Sequence, residues 1–367
     1  MRLAWIEVRD FRNHRETSLE VPEGLTAMVG PNGHGKTNLL EAMHYLFALE
    51  SPRVRTDLPL VRVGARSAFL RGEIHAGSGT FLVEIEVRPS GANRVQVNRT
   101  VVRRRRDLRA SIRSVFSGPD DLAVVIGEPD ERRRFMDGAV KALWPPRESA
   151  LAAYERTLRQ RNRLLKDWEG RGSVPPGLEA WDAELIAGGA AVTSLRAESV
   201  QRLGPLAGRE FGRLAGAREE ALTVAYRPSV PGDPLESETL VDRFRDLLGE
   251  RRADELTRRS TLVGPHRDDL GLTVQGLVAR GFASHGEAWG AALSLRLGLA
   301  GALAAEAGDP PVAFLDDPFS PFDPERRGRF AASLGGRGQL VLALPDEAQV
   351  PPAATMWRVK EGAVVSE

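Results

Sequence analysis

Apolar and polar positions alternate with period two over the first thirty residues: "LAWIEVRDF" alternates, the polar run "FRNHRE" interrupts, and "TSLEVPEGLTAMVG" resumes. This pattern predicts two strands joined by a polar turn across 2–29. The same period returns from 60 to 102, where "AGSG" and "SGAN" turns divide it into three short strands, an antiparallel lobe that a plain doubly wound fold lacks. Between about 120 and 258 the period becomes helical. In "ESALAAYERTLRQRNRLLKDWEG" the residues Leu151, Tyr154, Leu158, Leu164 and Leu165 fall near one face, and a second long stretch covers 177–216. The breaks "RGSVPPG" and "RPSVPGDPLESE" bound these helices, and heptads persist for only a few turns, so a short helical hairpin is expected and not an extended rod. From 259 onward strand and helix signals alternate again. The expected fold is α/β: a head built from 1–119 and 259–367 with an antiparallel β lobe, and an inserted helical, short coiled-coil-like arm over 120–258.

Composition narrows the class. The 367 residues are 42% hydrophobic and 28% charged, as in a soluble globular chain large enough for a substantial core. No run of 18 apolar residues occurs and the N-terminus "MRLAWIEVRD" is charged at once, so neither a membrane span nor a signal peptide is expected, which favours the cytoplasm. The absence of cysteine removes disulfides, thiolate catalysis and thiolate metal sites, and the six histidines show no H-x-x-x-H spacing for zinc. Net charge is only +1, so bulk charge does not point to nucleic acid. Among the 51 basic residues only Lys36, Lys141, Lys166 and Lys360 are lysines, leaving 51 − 4 = 47 arginines. Arginine suits phosphate by its bidentate geometry, while drift in genome composition gives the same bias.

The sharpest local signal is "VGPNGHGKTNLLEA", 29–42. Gly30, Pro31, Asn32, Gly33, His34, Gly35, Lys36 and Thr37 fit the Walker A template G-x-x-x-x-G-K-[ST], with Asn38 following, between an apolar strand and a helical pattern. Glycines let successive N–H groups turn onto phosphate oxygens, Lys36 reaches the β and γ phosphates, and the Thr37 hydroxyl is placed for Mg²⁺. Such a loop needs a carboxylate on a neighbouring strand, and "PPVAFLDDPFS" supplies Asp316 for Mg²⁺ and Asp317 to polarise the attacking water. Ser284, Gly286 and Glu287 stand just before a long Ala/Leu-rich helix, an anion-binding position that could close on ATP held by a second copy, and "SPFD" places Asp323 just after the aspartate pair.

Taken in order, phosphate loop, S-x-G-E helix, "FLDD" and "SPFD" resemble the ATP-binding-cassette heads of chromosome-maintenance and double-strand-break-repair ATPases. More narrowly, "VRDFRNHRE" (8–16), "GPNGHGKTNLLEA" (30–42), "GEPDERRRFMD" (127–137) and "STLVGPHRDDL" (260–270) resemble the RecF family of bacterial recombination mediators. The resemblance implies an ATP-dependent homodimer on double-stranded DNA that acts with RecR and RecO to load RecA at gapped or stalled-fork DNA, in recombinational repair and the SOS response. It implies ATP and Mg²⁺ as cofactors, weak DNA-stimulated hydrolysis, and positions for Arg12 and Asn13 near the nucleotide of their own subunit. Departures are Glu128, where the family tends to a small residue, the lack of an evident glutamine to sense the γ phosphate, and "QLVLALPDEA", which has no switch histidine.

Three other segments are open on sequence alone. "RTVVRRRRDLRASIR", 99–113, carries seven arginines and one aspartate and reads as a solvated surface or a phosphate contact. Arg132, Arg133 and Arg134 either pair with Asp130, Glu131 or Asp137 or face a ligand. His266, Arg267, Asp268 and Asp269 form either a polar network or a direct contact. The nucleotide-binding subunit of a membrane transporter is the alternative function; against it, about 250 residues separate Thr37 from Ser284, more than a compact transporter cassette requires.

Overall fold

A computed structural model describes residues 1–170, 174–216 and 221–366. The first hairpin, β1 (Arg2–Phe11) and β2 (His14–Glu20), turns on Arg12 and Asn13 alone, with Phe11 opposite His14. The polar run does not end the pattern, because His14 and Thr17 are buried and β2 therefore starts inside it. A corner at 21–24 leads to β3 (Leu25–Val29), so 2–29 holds three strands where two are expected. The phosphate-loop helix α1 (Lys36–Ala48) follows. Next come β4 (Ala68–Ala76), β5 (Gly79–Val87), β6 (Arg94–Val97) and β7 (Thr100–Val101), four strands instead of three. The extra one arises at Asn98 and Arg99, whose positive φ values make the tight turn that twisted hairpins favour.

The chain continues through α2 (Arg105–Ser111), β8 (Ser114–Ser117), α3 (Leu122–Ile126), α4 (Pro129–Leu143), α5 (Glu148–Asp167) and α6 (Leu178–Ala215). The break "RGSVPPG" lies partly outside the described residues. Then follow β9 (Leu222–Arg227), α7 (Ser237–Glu250), α8 (Arg252–Arg258), β10 (Asp269–Val274), β11 (Leu277–Val278) and the short α9 (Ala279–Phe282). The last elements are α10 (His285–Ala307), β12 (Val312–Asp316), α11 (Pro324–Ser333), β13 (Leu340–Leu344), β14 (Thr355–Lys360) and β15 (Ala363–Ser366).

Two six-stranded sheets form the head. One is antiparallel, in the order β2-β1-β4-β5-β6-β7; the other runs β15-β14-β3-β13-β12-β8, parallel except for the β14–β15 hairpin. α1 packs against both, and Leu39, Leu40, Met43, Leu46 and Phe47 join residues of both sheets in one core. That explains a helix apolar on nearly all sides. Because β3, β13 and β12 are adjacent and parallel, the phosphate loop and Asp316 leave the sheet at the same, carboxyl edge.

In the arm, α6 packs along α5 and α10. Helix α10 has the length and hydropathy of a membrane span, but 72% of its most apolar window is buried, as expected of a core helix. A Cβ on Gly298 would lie 2.7 Å from the Ala207 backbone nitrogen, so a glycine is what lets α10 and α6 approach. A strand also sits in the expected helical region: β9 pairs antiparallel with β10, joining residues on either side of position 258 in one three-stranded sheet. Charges are buried here too. Arg161, fully buried, donates to Asp182 at 2.8 Å, Thr261 at 2.7 Å and Glu255 at 2.5 Å. Arg196 holds Asp137 at 2.8 and 3.0 Å and the Pro265 carbonyl at 2.6 Å.

Candidate active site

Gly35 enters α1 at φ 108°, and a Cβ there would meet Asn13 and His14 at 2.8–2.9 Å, so positive φ and close approach both demand glycine. At the other end of the loop a Cβ on Gly30 would lie 2.2 Å from the Val359 carbonyl oxygen. Between them Lys36 Nζ donates to the carbonyls of Gly30 at 2.5 Å and Pro31 at 2.9 Å. Pro31, Asn32 and Gly33 are exposed, and His34, Thr37 and Asn38 are half-buried. Thr37 Oγ1 donates to both oxygens of Asp316, at 2.9 and 3.0 Å, so two segments 279 residues apart meet at one carboxylate.

Electrostatics set this corner apart. Burial is the main cause that raises the Asp316 carboxyl to about 6, against the Thr37 hydrogen bond and the charges of Arg53 and Lys36. Burial likewise raises Asp317, while the Ser320 hydrogen bond and Lys36 oppose it. Lys36 is lowered by burial despite the attraction of both aspartates. Asp317 adopts φ 48°, rare for a residue with a Cβ, and its Oδ1 is buried without a hydrogen-bond partner. Such strain and an unmet acceptor at a strand end are features of working sites. The Thr37 hydroxyl and the Asp316 carboxylate are hard oxygen donors brought to one point, so this pair fits Mg²⁺.

Arg12 and Asn13 lie beside the loop. Arg12, at φ 54°, makes a bidentate pair with Glu41 of α1 at 2.8 and 2.9 Å, and Asn13 Oδ1 accepts from Asn38 at 2.8 Å. Glu41 is fully buried and also receives Arg53 at 3.3 Å and Ser51 at 2.5 Å. Glu41, Arg53 and Ser51 are not evident as a site from sequence; the one local signal is the Glu within "NLLEA", a charge amid apolar helix positions.

The remaining predicted residues form a separate cluster, in which Ser284 and Asp323 are exposed and Gly286 and Glu287 half-buried. Ser284 caps α10 in a reciprocal capping box: Glu287 N donates to Ser284 Oγ at 3.3 Å, while Ser284 N and Oγ donate to Glu287 Oε2 at 2.9 and 2.7 Å. Gly286 lies against the Pro321 carbonyl, and Asp323 caps α11 by accepting from Arg326 N at 2.8 Å. Among the described residues no hydrogen bond joins Ser284, Gly286, Glu287 or Asp323 to the phosphate loop of the same chain.

Two of the three open segments pair within the chain, and the third divides between buried and exposed arginines. Arg133 and Arg134 pair with Asp130 and Glu131, whereas Arg132 reaches Asp269 at 2.5 Å and Asp137 belongs to Arg196. His266 lies between the Tyr154 hydroxyl at 2.7 Å and the Thr261 carbonyl at 3.0 Å, and Asp268 binds Tyr226 and the Ser229 N–H, so "GPHRDD" is a polar junction of the arm. In the arginine-rich segment, Arg109 is buried between Glu50 and Glu148, while Arg103, Arg104 and Arg105 are exposed.

Known proteins supply the context for this geometry. Residues 6–129 match the AAA domain family. A DNA replication and repair protein RecF from Streptomyces avermitilis is 39% identical, covering 99% of both chains. Another from Cutibacterium acnes is 38% identical over 94% of this chain and 93% of its own. Among solved structures, the recombination mediator protein RecF with ATP superimposes with a TM-score of 0.89 at 26% identity, over 100% of this chain and 97% of that one. An Smc head domain from Pyrococcus furiosus shares the fold, with a TM-score of 0.57 at 16% identity over 100% and 96% of the two chains.

Proposed function

The chain belongs to the RecF family of DNA replication and repair proteins, an ATPase family, and from that premise we propose a mechanism in which ATP joins two copies across the site described above. The observation that carries its nucleotide-binding half is the Thr37–Asp316 hydrogen bond, which puts the phosphate-loop hydroxyl and the strand-end carboxylate at one point within one chain; the pairing of two copies is inferred from the α10 N-terminus, whose Ser284 and Glu287 bond to each other and, among the described residues, not to their own phosphate loop. Gly30 to Asn38 cradle the phosphates, Lys36 leaves the loop carbonyls for the β and γ oxygens, and Arg12 and Asn13 support the loop from β1–β2. Thr37 and Asp316 would hold Mg²⁺, which when bound would neutralise phosphate charge. Asp317, with one unpartnered oxygen, orients and polarises the attacking water. Ser284, Gly286 and Glu287, unjoined to their own loop, meet the γ phosphate held by the partner copy at the α10 N-terminus, with Asp323 beside them.

In this reading the dimer grips double-stranded DNA in the ATP state and hydrolysis, slow alone and faster with DNA, lets go. RecR and RecO are the expected protein partners, and the compartment is the cytoplasm. The transporter alternative finds no support, since the relatives are replication and repair proteins over nearly their whole length.

A mixing experiment tests the shared site. Lys36→Met and Ser284→Arg are each expected to be inactive alone, whereas a one-to-one mixture recovers about a quarter of wild-type hydrolysis, because half the dimers carry one intact composite site. A mixture as inactive as its parts would contradict the reading.

A further inference from the structure

Three turns meet on the outer side of the phosphate loop: Arg12–Asn13 of the first hairpin, the loop itself, and the β14–β15 turn at Glu361–Gly362. The last is a two-residue turn with both φ values positive, 51° and 78°, and Lys360 opposite Ala363. His14, fully buried, lies between them. Its Nε2 is 3.0 Å from the Gly35 carbonyl oxygen, and its Nδ1 is 3.0 Å from that of Gly362 and 3.1 Å from Thr17 Oγ1. The Thr17 hydroxyl is itself 3.2 Å from the Gly362 carbonyl. With Nε2 protonated the ring donates to the Gly35 carbonyl, while Nδ1 is then an acceptor and gives nothing to Gly362, whose carbonyl accepts instead from the Thr17 hydroxyl. Burial lowers the histidine, which favours this neutral form, against the two backbone hydrogen bonds.

The neighbouring peptide is held as well. Gly362 N donates to the His34 carbonyl at 2.9 Å, and Glu361 N donates to His34 Nδ1 at 3.2 Å. A peptide group is planar, with its C=O and N–H pointing in opposite directions. Fixing the His34 and Gly35 carbonyls from outside therefore aims the Gly35 and Lys36 N–H groups the other way. Those two N–H groups begin α1, where backbone donors have no partner within the helix. The Gly35 carbonyl also accepts from Leu39 N at 2.9 Å, so both of its lone pairs are used and its direction is doubly set.

We propose that His14 and the turn at Glu361–Gly362 are positioning elements for nucleotide phosphate: they lock two successive peptide planes of the phosphate loop, making the C-terminal hairpin part of the nucleotide site. The proposal rests on the reading of 30–38 as a triphosphate cradle. His14 touches no phosphate; it acts through the Gly35 carbonyl. Preorganised donors act on phosphate binding, so loss of the lock raises KM and Kd for nucleotides more than it lowers kcat.

The test compares His14→Gln, His14→Asn and His14→Phe with the wild type and Lys36→Met, reading KM, kcat, the affinities of ATP, ADP and adenosine by displacement of a fluorescent ATP analogue, and thermal midpoints without nucleotide. Gln places an amide N–H where Nε2 stands and is expected to keep KM within about threefold; Asn reaches only the Gly362 side and Phe neither, and both are expected to weaken ATP and ADP about tenfold while leaving adenosine unchanged. Equal ATP affinity for the Gln and Asn variants would overturn the proposal, and that pair decides even if the Phe variant does not fold. If wild type and Lys36→Met bind ATP alike, it is the cradle reading that fails, a result separable from normal ATP binding by His14→Asn alone.

Discussion

The strand-end aspartates of the head and the Arg161 cluster of the arm both bury charge, and they treat it in opposite ways. In the arm, Arg161 meets Asp182, Glu255 and Thr261, and Glu255 also accepts from Leu262 N at 2.8 Å, so its ions are surrounded by matched donors and acceptors. At the phosphate loop, burial raises both aspartates, lowers Lys36, and leaves one Asp317 oxygen unpaired. Satisfied buried charge fixes one arrangement of helices; unsatisfied buried charge is held ready for a ligand that brings what is missing. The same residue types thus build a scaffold in one region and a site in the other.

That contrast can be broken by substitution. The largest effect is expected in the arm: Glu255→Ala leaves Arg161 with only part of its compensation and should cost about 3 kcal/mol, a drop of several degrees in thermal midpoint, measured by calorimetry. An unchanged midpoint would show that the arm's ions are not structural. A smaller effect of opposite sign is expected at Asp316→Asn. The folded carboxyl titrates at about 6, above its ordinary 3.8, so its favourable contribution is complete below pH 4 and is lost as pH rises through 6. The asparagine variant, free of metal and nucleotide, should therefore gain on the order of 2 kcal/mol at pH 8, the roughly 3 kcal/mol of the shifted carboxyl less about 1 for a weaker Thr37 hydrogen bond, with the gain fading toward pH 4, though it hydrolyses no ATP. A loss of stability at pH 8 would place Asp316 with the satisfied ions. The smallest effect belongs to the exposed Arg245–Asp242 pair on α7, where Arg245→Ala should move the midpoint by no more than about a degree.

How much of this was legible follows from the range of each interaction. That Thr37 and Asp316 meet could be anticipated, because a phosphate loop calls for a carboxylate at the end of a neighbouring strand and both motifs fix residue types locally. Arg12 and Asn13 came from resemblance, and the structure places them beside the loop through Glu41 and Asn38. His14 and Gly362 could not be read: they meet across 348 residues, and nothing in a local period announces a contact between two turns. Arg161 was hidden for another reason. On an amphipathic helix a charged residue counts as solvent-facing, and only partners from α6 and α8 make its burial tolerable. Strand β9, set among Pro-rich breaks in a helical region, needs β10 beside it to be a strand at all.

The central claim is that one chain holds the phosphates and a second completes the site. The measurement that tests it most directly is the ATP hydrolysis rate per molecule as a function of protein concentration, with and without duplex DNA. A specific rate that rises with concentration, and rises again with DNA, is the predicted result. A rate independent of concentration would mean that each chain is sufficient alone, and would contradict the role given to Ser284.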